Sequence, residues 1–279
     1  MSRNHSRTSP RIEVGVSERT GVAHVMPVFF AAVGGAEISL LAGLLDIHPE
    51  IDAHPCALLL HPGAGGVASA REALRDMLAE SSRDAAMRVR NGLADRVRHV
   101  GAQVDLSDME SADCLAAAFP GAPLVCVLRD GRRAIVAERC EHLARAGQPW
   151  RWGAGGKRGH SPSLLFDEAA LRTAVVRWAA SLRGAHRAAE LLGDRVMILR
   201  EDELTTDTAR AFGRVCRWLG VSSEQGRLLA AVQAARARQT ERPIAPDWRE
   251  ALSESDKAAF KRIAGELLVE LGFESDLSW

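Results

Sequence analysis

The stretch VMPVFFAAVGGAEISLLAGLLDIHPEI, Val25–Ile51, decides the fold. Its apolar run Val28–Val33 is long enough for one parallel strand buried on both faces. Gly34 and Gly35 break the run and permit a tight turn. Helical periodicity begins at once, with Leu40, Leu41, Leu44 and Leu45 forming one apolar stripe. His48 and Pro49 end it, because the residue before a proline avoids the α region. A strand, a glycine turn and a helix open a βαβ unit. Amides at the start of that helix carry partial positive charge, so the turn suits an anion. The same residues also fit a plain strand–turn–helix with no bound phosphate.

The rest of the chain extends this pattern. Its 279 residues suffice for one large α/β domain or two small ones. Hydrophobic residues make up 47% and charged residues 26%, ordinary for a globular protein. Lys plus Arg equals Asp plus Glu at 36 each, so bulk charge points to neither nucleic acid nor an anionic membrane. Any anion site must be local. Cys56, Cys114, Cys126, Cys140 and Cys216 are scattered without CxxC spacing, so they read as reduced core thiols of a cytoplasmic protein, and no metal site is expected. Met1–Glu18 is polar and arginine-bearing, without the apolar segment of a signal peptide. Residues 1–20 are expected to be a disordered tail, and residues 21–279 one domain. No apolar run reaches the ~20 residues that a membrane span requires.

Ala57–Leu60 reads as a short strand or a loop segment, and His61–Gly66 (HPGAGG) as a loop. Helical periodicity covers Ala68–Ala94, strand alternation Val97–Val104, and a helix Asp108–Phe119. Pro123–Leu128 is a second apolar run, closed by Arg129, Asp130, Gly131 and Arg132 and followed by a helix. An arginine at the carboxyl end of a parallel strand stands where open α/β sheets bind ligands, and its planar fork suits phosphate. The alternative is a structural arginine paired with Asp130 or a helix end. Ala146–Phe166 is a long aperiodic loop holding Trp150, Trp152, Lys157, Arg158 and His160, read as a lid or as a solvated loop. Glu168–Leu192 is a helix, Asp194–Glu203 a third buried strand with an acidic end, and Thr206–Leu219 a helix stopped by Gly220. Trp248–Phe273 ends the chain as a helix, with Ser253 and Asp256 as its capping signal. Apolar strands alternating with helices imply an α/β fold of three layers, a mainly parallel sheet with helices on both faces.

Four ordered segments between Pro27 and Phe273 resemble the sulfotransferase superfamily, whose architecture is P-loop-NTPase-like. These are the strand, loop and LL-x-x-LL helix ending in His48, Pro49, Glu50 and Ile51; Arg129–Asp130–Gly131–Arg132; Trp178 with Gly193, Arg195, Val196, Arg200, Asp202, Glu203 and Leu204; and the Trp248–Phe273 end. The family's donor is 3′-phosphoadenosine 5′-phosphosulfate (PAPS). The resemblance implies that Gly34, Gly35, Ala36, Glu37, Ile38 and Ser39 hold its 5′-phosphosulfate. It also implies that Arg129 binds its 3′-phosphate, helped by a basic residue such as Arg236, Arg238 or Arg242, with Arg238 preferred. Asp202 and Glu203 are then scaffold residues. The loop departs from the family's P-[RK]-S-G-[TS]-[TS]: Gly35 replaces the basic residue, Glu37 the glycine and Ile38 a hydroxyl. Ala137 replaces a serine of the 3′-phosphate motif, and Glu201 stands where the family has a tyrosine.

Two functions follow. One is sulfuryl transfer from PAPS to a hydroxyl or amine of a small-molecule acceptor. It needs donors for the sulfonate and a base for the acceptor, with His99 and Asp105 as the candidates. The other is a sulfotransferase fold that has lost PAPS use, acting as a different transferase or as a non-catalytic binding protein. Glu37 argues for it, since like charges ~4 Å apart at an effective dielectric near 20 cost about 4 kcal/mol. No G-x-x-x-x-G-K-[ST] is present, which argues against a nucleotide kinase. The oligomeric state stays open, with a homodimer as one alternative.

Overall fold

The structure, a computed structural model, describes residues 26–34, 38–58, 66–90, 97–106, 108–145, 166–224, 230, 232–233 and 245–279. The expected tail, most of the HPGAGG loop and nearly all of the Ala146–Phe166 loop lie outside these residues. The first unit runs as expected: β1 (Met26–Val33), a turn at Gly34, then α1 (Ser39–Ile47) ending at His48. It is followed by β2 (Ile51–Leu58), α2 (Gly66–Arg90), β3 (His99–Val104), α3 (Met109–Ala118), β4 (Leu124–Leu128) and α4 (Gly131–Arg145). Then come α5 (Glu168–Leu192), β5 (Val196–Arg200), α6 (Glu201–Thr206), α7 (Thr208–Leu219), α8 (Trp248–Ala251) and α9 (Glu254–Glu270). The Ser253 side chain and Asp256 form a reciprocal capping box at α9.

All five strands pair in parallel in the order β2-β3-β1-β4-β5. Side chains of a strand alternate between faces, and β1 shows this cleanly. Phe29, Ala31 and Val33 join the core beneath α3, α4, α5 and α9, while Val28 and Phe30 join the one beneath α1 and α7. Leu124, Cys126 and Leu128 of β4 face the first core, Val125 and Val127 the second. The result is three layers, with β1 and β4 central and buried on both faces. From β1 the chain leaves toward β2, and from β4 toward β5 on the other side. Adjacent strands whose exits diverge leave a crevice at their carboxyl ends, here beyond Val33 and Leu128.

Two strand expectations are corrected. β2 spans Ile51–Leu58 rather than Ala57–Leu60, with a register shift between His54 and Ala57 around Pro55. β5 is only Val196–Arg200 and lies at the edge of the five-stranded sheet, with Ile198 exposed. Glu201, expected within that strand, opens α6 instead. Cys114, Cys126, Cys140 and Cys216 are buried thiols, and burial pushes Cys126 and Cys216 up to about 12. Among the described residues no helix is long and apolar enough to cross a membrane.

The amino edge of the sheet is closed by uncharged imidazoles on backbone carbonyls. His99, first residue of β3, donates from Nε2 to the Leu219 carbonyl at 2.9 Å. His48 accepts the Glu50 amide at Nδ1, so its Nε2 carries the proton and donates to the Ser222 carbonyl. Arg98 bridges Glu50 and the Gly220 carbonyl. These bonds tie the end of α7 to the sheet. Burial, with the charge of Arg98 beside it, pushes the His99 pKa below its ordinary 6.5. The unfolded chain therefore takes up this proton first, so stability present above pH 6.5 is lost as pH falls below it. The urea midpoint should drop between about pH 7.5 and about pH 5.5. His99→Gln keeps a donor for Leu219 and should flatten that dependence. An unchanged slope in the variant would place the titrating group elsewhere.

Candidate active site

The carboxyl edge of β1, β3 and β4 is built against one helix. On α5, Trp178, Ser181 and Gly184 recur at helical spacing and face the three strand ends. Gly34, at φ +69° in the turn after β1, donates its amide to Ser181 Oγ at 3.0 Å. Ser181 in turn donates to the Trp178 carbonyl. The Trp178 indole donates from Nε1 to the Arg129 carbonyl at 3.1 Å, just past β4. A Cβ on Gly34 would lie 2.3 Å from this indole, and one on Gly131 2.5 Å from it. A Cβ on Gly184 would lie 2.6 Å from the Asp108 carbonyl, in the segment after β3. The glycines at 34 and 131 are thus required by an aromatic ring. Gly131 stands at the motif's proline position because nothing larger than hydrogen fits under Trp178.

Around this brace the charges are paired. Arg132 is buried, donates to both oxygens of Asp130, pairs with Glu274 at 2.5 Å, and lies against the faces of Trp248 and Trp279. It is a scaffold residue, closing the carboxyl-terminal segment onto α4. Asp202 binds Arg200 through two oxygens, which holds its carboxyl below the usual carboxylate range despite partial burial, and Glu203 pairs with Arg214. Both acids hold β5, α6 and α7 together. Arg129 extends from the end of β4 to Glu201, with 3.0 Å between Nε and Oε2. Of the pairings expected for a structural Arg129, Asp130 belongs to Arg132, and the one formed here is with a helix end, since Glu201 opens α6.

The residues expected at the site fall into three groups. Gly34, Ile38, Ser39, Arg129 and Asp105 share the carboxyl edge. Ile38 is the N-cap of α1 and buried, and gives no side-chain cap, so the first amides of α1 open toward this edge. Asp105 follows β3, is exposed, and is next in register after the Val104–Ala31 pair. His99 is at the other end of the same strand, in register with Met26 and Ile51, roughly 20 Å from Asp105 at the rise of a strand. The fold therefore does not bring it to Arg129. Gly35, Ala36, Glu37 and Arg238, with Arg236 and Arg242, lie outside the described residues. Two residues of the candidate site escaped the sequence reading. Glu201 was visible only as a departure from a tyrosine, and Ser181 had no signal beyond its place three residues after Trp178.

The model of the sulfotransferase family matches residues 39–225, well over half of the chain. Among solved structures, the sulfotransferase from Alicyclobacillus acidocaldarius aligns with a TM-score of 0.50 at 18% identity, over 90% of this chain and 97% of its own. A mouse sulfotransferase complexed with PAP aligns with a TM-score of 0.55 at 10% identity, over 88% and 85%. The sulfotransferase domain of the Synechococcus PCC 7002 olefin synthase aligns with a TM-score of 0.51 at 17% identity, over 88% and 95%. At these identities the likeness is one of fold. No curated protein matches the sequence.

The glycine–indole contact is open to direct test. Gly131→Ala should cost about 1–3 kcal/mol of stability, the usual penalty for overpacking a filled site. A double-mutant cycle with Trp178→Leu should show the two changes coupled by roughly 0.5 kcal/mol or more. Simple additivity would mean that the glycine serves something other than the ring.

Proposed function

Because the chain belongs to the sulfotransferase family, we propose that it transfers a sulfuryl group from PAPS to a hydroxyl or amine of a small-molecule acceptor. The observation that carries this is the position of Arg129. Its backbone follows the carboxyl end of β4, where its amide meets the Val33 carbonyl at the end of β1 and the strand exits diverge, and its guanidinium reaches Glu201 beyond the end of β5. The residues there suit such a donor in part. Amides at the start of α1, in the segment Gly34–Ser39, receive the 5′-phosphosulfate, although the amide of Gly34 itself is engaged by Ser181. Arg129 meets the 3′-phosphate, with Arg238 as the second cation. Asp105 takes the proton of the acceptor as its oxygen or nitrogen bonds to sulfur and the bond from sulfur to the phosphate oxygen breaks, releasing 3′-phosphoadenosine 5′-phosphate (PAP). Buried thiols suit a cytoplasmic setting.

A second reading is favoured by a specific contact. Glu201 occupies Arg129 and Gly34 spends its amide within the fold, as expected of a sulfotransferase fold that no longer uses PAPS. Calorimetry with PAP separates the two. Binding supports the transferase, and no heat at about 1 mM nucleotide, an affinity near 4 kcal/mol, supports the second reading. With a binding-competent protein, transfer of labelled sulfate from PAPS to a panel of phenols, alcohols and amines identifies the acceptor class. Asp105→Asn should lower kcat about a hundredfold while leaving the KM for PAPS unchanged. Full activity in that variant would remove Asp105 as the base.

A further inference from the structure

The ion pair between Arg129 and Glu201 is set by the sheet. β4 and β5 pair with Leu128 opposite Arg200, so residues 129 and 201 are the next positions beyond both strands, side by side. Their side chains are 19% and 12% exposed, with 3.0 Å between Nε and Oε2. Glu201 lies in the first turn of α6, where the positive end of the helix favours a charged carboxylate. The neighbouring acids are directed to other guanidiniums: Asp130 to Arg132, Asp202 to Arg200 and Glu203 to Arg214. Glu201 is directed to Arg129. On α4, position 137 is a half-buried alanine, with no hydroxyl to add to a phosphate contact.

We infer that Glu201 determines the donor specificity of this site by standing in for a 3′-phosphate on Arg129. The inference rests on the donor reading above and widens the class of donors it admits. A guanidinium already neutralised by a fixed carboxylate has little attraction left for a second anion. A phosphate arriving there must either displace Glu201 or share the guanidinium with it against like-charge repulsion. The 3′-phosphate therefore adds little to affinity, and the site takes adenosine 5′-phosphosulfates with and without it. The residue at 201 sets this, because it occupies the register position opposite Arg129.

The test is calorimetric binding of PAP and of adenosine 5′-phosphate to the whole chain and to Glu201→Gln. The natural protein should bind the two nucleotides within about threefold of each other. Glu201→Gln should bind PAP at least about tenfold more tightly, the size of one freed charge-assisted contact, with adenosine 5′-phosphate unchanged. A natural protein that prefers PAP by tenfold or more would leave the donor reading standing and overturn this inference. So would a Glu201→Gln protein no more selective than its parent. Binding of neither nucleotide to either protein would overturn the donor reading, and this inference with it. Should Glu201→Gln fail to give a cooperative thermal transition, Glu201→Tyr is measured in its place, and the comparison of nucleotides on the natural protein stands without any variant.

Discussion

One indole holds the carboxyl edge of this sheet together. Trp178 is nearly buried, lies against two glycines from different strand ends, and donates its N–H to the backbone between β4 and α4. The close approach demands glycine at 34 and 131, and the hydrogen bond keeps the ring from turning. Phe260 of α9 packs on the same indole at 5.7 Å between centroids, so the last helix is referenced to the same point. The turn after β1, the turn after β4 and the carboxyl-terminal helix are therefore placed relative to one side chain. Arg129 leaves the backbone within that braced segment. Its direction toward Glu201 follows from the brace and from the β4–β5 register.

The buried centre of the fold could be read from the sequence because its signals are local. β1 and β4 are unbroken apolar runs and sit between two helix layers, where strands lose their alternation. The helix over Glu168–Leu192 and the Ser253–Asp256 capping box sit where the periodicity and the capping pattern put them. The sheet's edges were harder to read. In β2, Asp52, His54 and Pro55 interrupt the apolar pattern, and the ladder accommodates them with a register shift that sequence periodicity does not encode. In β5 the apolar run is real but the strand is an edge, so Ile198 points outward and the acidic end leaves the sheet to start a helix.

Less of the site than of the fold was legible, and for a different physical reason. Arg129 and Asp105 could be placed because a strand's carboxyl end is visible in sequence as the end of an apolar run. His99 does not share that position. Its place near the start of the expected strand Val97–Val104 already set it toward the amino edge, and the register with Met26 and Ile51 shows that it begins β3. Which residue partners Arg129 was beyond reach. Asp130, its sequence neighbour, is drawn to Arg132, whose burial between Trp248 and Trp279 demands a counter-charge. With Asp130 committed, Glu201 from the adjacent strand end pairs with Arg129. A tertiary demand at one arginine thus shapes the surroundings of the next.

The two edges of the sheet are finished by different chemistry, and this difference bears on function. At the amino edge, neutral imidazoles meet backbone carbonyls at the α7 end beside the Arg98–Glu50 ion pair, and together they fix one element to another. At the carboxyl edge, ionised side chains meet in pairs, and the backbone is thinned to glycine where helix and strand ends approach. An ion pair near the surface is separable by a ligand of the same charge as one partner, at a cost set by how far each side chain is desolvated. A hydrogen bond from a buried imidazole to a carbonyl offers no such exchange, because breaking it leaves a buried polar group without compensation. At the edge that holds Arg129 an anion can compete only by displacing or crowding Glu201, whereas the amino edge serves as the fixed end of the sheet. The surroundings of Arg129 are consistent with this, since its pair with Glu201 is partly open to solvent whereas Arg132, three residues on, is sealed.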